Sequence, residues 1–144
     1  MRNFTILAIG KQKSIVKNAR EQFVQIIIPM SGMGNRFVQA GYTDPKPLIK
    51  VDGMPIIEHV VNLFPGETNF SFICNSKHLT ETSMRNELQR IAPSGNIHEI
   101  PPHKLGPVYA VMQIAETIPD DEEVIVNYCD FGTYWDYQDF LNHT

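Results

Sequence analysis

The stretch Ile26-Ile27-Ile28-Pro29-Met30-Ser31-Gly32-Met33-Gly34-Asn35-Arg36-Phe37 joins a run of β-branched residues directly to a glycine loop. Three isoleucines in a row suit a strand covered on both faces, the condition met in parallel sheets. Gly32 and Gly34 let the backbone turn sharply and bring bare N–H groups close to an anion. Arg36 offers a planar fork for phosphate oxygens. Lys46, held between prolines in Asp44-Pro45-Lys46-Pro47-Leu48, offers a compact point charge. The simplest alternative is a tight turn with no ligand. Two familiar phosphate motifs are excluded. The dinucleotide fingerprint wants a third glycine where Phe37 stands, and the ATPase loop wants Gly-Lys-Ser/Thr, which is absent.

The remaining segments alternate between strand-like and helix-like patterns. Phe70–Cys74, Ile97–Ile100 and Glu123–Asp130 read as strands, and Pro47–Val51 reads as a short strand stopped by Asp52-Gly53. Asn35 to Ala40 reads as a helical turn ending at Gly41. Pro55 suits the first position of a helix over 56–64, where His59 reads as structural. Thr80 is expected to cap a helix that presents Met84, Leu88 and Ile91 on one face. Val108, Val111, Met112, Ala115 and Ile118 form an apolar stripe at helical spacing and are expected to be core. A stiff loop from Pro101 to Pro107 leads into that helix, and Gly106 reads as a turn before it.

Asp130 ends the last apolar strand, the place where open α/β sheets bind ligands; alternatively it begins a turn with Gly132. Asp136 and Asp139 read as a solvated helix start. Asp130-Phe131-Gly132 also spells the kinase metal triplet, but no His-Arg-Asp loop or Val-Ala-Ile-Lys strand accompanies it.

Composition bears on partners and compartment. A chain of 144 residues can bury a real core, and 42% apolar with 19% charged residues suits a globular protein. No apolar run is long enough to span a membrane, and Phe4 to Gly10 is too short for a signal peptide. Residues 1–20 carry five basic residues and no acid, yet the net charge of −4 and the lack of interleaved aromatics argue against nucleic acid. Cys74 and Cys129 supply neither a disulfide framework nor metal spacing. A cytoplasmic location is expected.

Ser31-Gly32-Met33-Gly34-Asn35-Arg36-Phe37 with Pro45-Lys46-Pro47-Leu48 resembles the signature of the sugar-phosphate nucleotidyltransferases, and most the branch among capsule and surface-polysaccharide enzymes. That pattern usually has a further glycine at Ser31 and often Thr or Ser at Asn35; both departures keep a small, turn-compatible residue. The resemblance implies an α/β fold, a Rossmann-like three-layer sandwich with a mostly parallel sheet. It runs from about Val24 to Asp139, whereas family members continue further. The chain therefore reads as residues 1–22, an N-terminal extension with a strand over Phe4–Ile9, and 23–144, the nucleotide-binding part of such a domain, incomplete at the C-terminus.

The resemblance also implies chemistry. The backbone of Ser31, Gly32, Met33, Gly34 and Asn35 would hold a nucleoside triphosphate, and Gly106 would approach the base. Relatives that read pyrimidines often carry a glutamine where Pro101 and Pro102 stand, so CTP and UTP both stay open. Arg36 would face the departing phosphates, Lys46 would neutralise charge near the α-phosphate, and Asp130 would hold Mg²⁺. The acceptor would be a sugar phosphate or similar small phosphate. Two alternatives stay open: a nucleotide-binding remnant without turnover, and a nucleotide-sugar-dependent glycosyltransferase, although Gly132 takes the second place of the Asp-x-Asp that those enzymes present. An incomplete sheet leaves apolar edges uncovered, so self-association, as a homodimer or larger, is expected.

Overall fold

The structure, a computed structural model, describes residues 24–143. The expected extension over 1–22, with its strand Phe4–Ile9, lies outside the described residues.

Four strands form one parallel sheet: β1 (Val24–Met30), β4 (Phe70–Asn75), β5 (Asn96–Ile100) and β6 (Glu123–Val126), in the order β5-β4-β1-β6. Every residue of β1 and of β4 is buried, as continuous apolar runs in central parallel strands require. Register pairs Ile26 with Phe70 and Ile28 with Phe72 on one side of β1, and Ile26 with Ile125 on the other. The chain moves outward from β1 through β4 to β5, then returns to the opposite flank of β1 as β6. Strand order therefore reverses between β1 and β6, and the crevice beyond their carboxyl ends is where such sheets take ligands.

Alternate side chains divide the core into two apolar clusters, one per face. Ile26, Ile28, Phe70 and Phe72 pack with Ile57, Val60, Met84 and Leu88 from α2 (Ile56–Val61) and α4 (Met84–Ile91). Ile27 and Ile73 pack on the other face with Ala110 of α5 (Gly106–Met112) and with Ile114 just beyond it. Helix on sheet on helix is the three-layer α/β arrangement expected from the sequence. Further helices are α1 (Asn35–Gln39), α3 (Ser76–Glu81) and α6 (Tyr137–His143). Asp136 Oδ1 accepts from the Asp139 N–H at the start of α6, in keeping with a solvated helix start.

Five local readings change. The last strand, β6, ends at Val126 and does not reach Asp130, which lies in the turn that follows. Pro47–Val51 is not one strand: Lys46–Leu48 is a 3₁₀ turn, and Lys50–Val51 (β2) pairs antiparallel with Met54–Pro55 (β3). Asp52 (φ 51°) and Gly53 (φ 80°) both lie in the left-handed region, the requirement of a two-residue hairpin turn, so Asp-Gly makes a hairpin here rather than a stop. Helix α2 stops at Val61, short of 64, and the His59 imidazole donates to the Val51 carbonyl at 2.8 Å, a structural role. Thr80 caps nothing. It sits inside α3 with its hydroxyl donating back to Ser76 and Lys77 carbonyls, while the Thr82 hydroxyl accepts from the Met84 N–H at the start of α4. The stripe of α5 is only half core: Val108 and Met112 are 74% and 64% exposed, because Ala110 and Ile114 form the inward line.

Candidate functional site

A cleft of about 400 Å³ opens at the reversal point between β1 and β6. Its floor is the glycine loop: β1 delivers Met30 to the sheet's carboxyl edge, and Ser31 through Gly34 turn the chain into α1. Gly34 adopts φ 61°, a conformation that strains a side chain, and Gly106 across the cleft adopts φ 84°. A Cβ added to Gly32, Gly34 or Gly106 would meet nothing within 4 Å. These glycines therefore do not serve packing; they leave bare backbone facing open space.

Charge gathers on this floor against the chain's overall sign. Arg36, Lys46 and Lys104 line the cleft together with the imidazole of His103, although the net charge is −4. Arg36 lies exposed on α1. Lys46 is better fixed: its ammonium lies 5.0 Å from the centre of the Phe37 ring and donates to the Asp130 carboxylate. The two prolines flanking Lys46 and the 3₁₀ turn it begins hold its backbone in place.

Asp130 follows Cys129, which lines the cleft, and reaches that space by its contact with Lys46. Among the described residues no three His, Cys, Asp or Glu come close enough to cage a metal. A magnesium ion does not need such a cage, because it keeps several waters and binds by one or two carboxylates plus substrate phosphates. Asp130, already facing a cation in Lys46, is the carboxylate here that fits this requirement.

The sequence-level candidates thus converge. Ser31, Gly32, Met33, Gly34, Arg36, Lys46 and Gly106 line one cleft, Asn35 opens α1 behind it, and Asp130 closes on Lys46. Sequence reading missed His103 and Lys104. Their loop leaves β5 at the same carboxyl edge as the glycine loop, which was a signal available in the order of elements. The contact of His103 with Ser31, 2.8 Å across 72 residues of sequence, was not.

Burial holds both thiols in their protonated form near neutral pH. Burial pushes Cys129 up from 9.0 to about 11, Asp130 adding to the rise, and burial pushes Cys74 up to about 12. Burial also raises the Tyr137 phenol, which donates to Glu67. An unfolded thiol ionises near pH 9 while these folded ones keep their protons, so between those values the folded state binds more protons. Their contribution to stability is complete below pH 9.0 and is lost as pH rises through about 11 and 12. The guanidinium unfolding midpoint is expected to fall steadily across that window, and iodoacetamide at about pH 8 is expected to spare both thiols until the protein unfolds.

Comparison with known proteins bears on the fold. No protein-family profile matches the chain. The nucleoside-diphosphate-sugar pyrophosphorylase of Vibrio cholerae RC9 superposes with a TM-score of 0.64 and 25% identity, over 83% of this chain and 53% of that one. The UDP-glucose pyrophosphorylase of Acinetobacter baumannii shares the fold, with a TM-score of 0.54 and 18% identity over 74% of this chain and 45% of its own. In sequence, the chain is 43% identical over 47 residues to the 2-aminoethylphosphonate cytidylyltransferase of Lancefieldella rimae, which is 33% of this chain and 19% of that protein. The chain thus spans about half the length of these solved structures. The fold is that of the pyrophosphorylases, and the likenesses support a nucleotidyltransferase family.

Proposed function

We propose that residues 24–143 form the nucleotide-binding part of a nucleotidyltransferase, of the branch that serves surface polysaccharides. It would transfer a nucleoside monophosphate from CTP or UTP to a small phosphorylated acceptor such as a sugar phosphate and release pyrophosphate. One observation carries this reading: the glycine loop, Arg36, Lys46 and Asp130 meet at the strand-order reversal, although they are spread over nearly the whole described chain. The partial likeness to a cytidylyltransferase favours CTP of the two.

The residues divide the work by charge. Attack of an acceptor phosphate oxygen on the α-phosphorus, in line with the leaving pyrophosphate, asks the protein mainly for placement and neutralisation. The loop amides from Ser31 to Gly34 present N–H donors to the phosphates, and Gly106 lets the base approach the backbone. Arg36, exposed at the rim, faces the departing β- and γ-phosphates with its fork of donors. Lys46, already fixed by Phe37 and Asp130, neutralises charge growing near the α-phosphate. A magnesium ion, when bound, would supply positive charge that offsets the charge of the phosphates. Asp130 would hold it by its carboxylate, and Lys46 would then turn from Asp130 to the nucleotide.

A second reading, nucleotide binding without turnover, is favoured by Asp130 having no cluster of acids beside it among the described residues. Calorimetric titration with CTP and with UTP in magnesium, beside a pyrophosphate-release assay, separates the two. Saturable binding with release supports the transferase, and binding without release supports the second reading. Flat titrations with both nucleotides would overturn both.

A further inference from the structure

Ser31 is gripped from two sides. The side-chain amide of Asn75, itself fully buried at the end of β4, donates to the Ser31 carbonyl at 3.2 Å. The Ser31 hydroxyl lies 2.8 Å from His103 Nε2, on the loop between β5 and α5. The Leu105 N–H donates to the other ring nitrogen, Nδ1, at 3.2 Å. A nitrogen that accepts carries no proton, so this contact assigns the hydrogen to Nε2 and makes Ser31 Oγ the acceptor. Tyr109 of α5 flanks the imidazole with ring centres 4.7 Å apart. His103 thereby spans the cleft's two walls, one carrying the glycine loop and the other carrying Lys104 and Gly106.

We infer that His103 is a positioning residue, a latch that fixes the glycine loop against the 103–106 loop before any ligand arrives. Its use rests on the nucleotide reading given above, because a loop already set in its binding shape loses less freedom when an anion docks. The latch itself is made by the chain's own residues. His103 acts through Ser31, whose backbone leads directly into Gly32, Met33 and Gly34.

Hydrogen exchange of the Gly32 to Gly34 amides in the unliganded protein tests this. His103→Ala should speed exchange at these amides severalfold while β1 and β4 stay protected. The conservative variants separate latch from mere filling. The amide nitrogen of a glutamine can stand where Nε2 stands, so His103→Gln should restore slow exchange. That of an asparagine falls near Nδ1, so His103→Asn should not. Ser31→Ala should match His103→Ala, and the double variant should add nothing to either. In CTP titrations His103→Ala, His103→Asn and Ser31→Ala should weaken binding about three- to tenfold, a bond's worth of preorganisation, and His103→Gln should stay near the wild-type value. Unchanged loop exchange in His103→Ala, equal behaviour of the Gln and Asn variants, or additive effects with Ser31→Ala would each overturn the latch. If His103→Ala loosens β1 as well, the Gln and Asn pair carries the comparison alone. Failure of the wild-type chain to bind CTP or UTP would instead sink the nucleotide reading, with the latch still judged by exchange.

Discussion

Lys46→Ala and Asp130→Ala are each expected to lower pyrophosphate release by roughly a hundred- to a thousandfold while leaving the fold intact. The two halves of that expectation come from different magnitudes. Side chains of Lys46 and Asp130 are 28% and 38% exposed, and a half-exposed ion pair contributes only about 0–1 kcal/mol to stability. The same ammonium, set in a cleft against charge that develops during reaction, is worth about 3–4 kcal/mol. Circular dichroism and the unfolding midpoint should therefore barely move. Binding gives a parallel reading. Magnesium should strengthen CTP affinity in the wild-type chain and lose that effect in Asp130→Ala. Release near the wild-type rate by either purified variant would defeat the roles assigned to these residues.

Phe72→Ala is expected to destabilise the protein by about 3–5 kcal/mol, out of a total of about 5–15. Phe72 is fully buried in β4, one of the two interior strands, and is offset-stacked on Phe70 with ring centres 5.8 Å apart and planes 7° from parallel. Its ring also sits 2.8 Å from where a Cβ on Gly95 would be, so the turn before β5 is shaped around it. Truncation leaves a void that buried β1 and β4 are too constrained to fill. Guanidinium denaturation at constant slope measures the loss. A shift equivalent to less than about 1 kcal/mol would mean this region is not the core.

What the sequence made legible follows from how local each signal is. Three isoleucines leading into Gly32 and Gly34 announced β1 and its loop, because burial and turning are written in neighbouring residues. Lys46 and Asp130 were readable as candidates from their settings, a proline-bounded turn and the end of an apolar run; β6 in fact stops at Val126 and leaves Asp130 in a turn, and the contact of the two spans 84 residues that only folding brings together. The hairpin at Asp52-Gly53 was legible and misread, since Asp-Gly signals a two-residue turn as readily as a strand end. In α5 the apolar spacing identified a helix but not its inward line. Small Ala110, which lets the helix approach the sheet, faces Ile27 and Ile73, and bulkier Val108 turns outward. His103 carried no local mark at all, because what distinguishes it is its partner.

Asn75 does three things with one amide group: its oxygen caps α3 through the Lys77 N–H, and its nitrogen reaches both the Ser31 carbonyl and the Met33 sulfur. The end of β4, the start of α3 and the glycine loop thus share one joint, so a substitution at Asn75 is expected to disturb all three together.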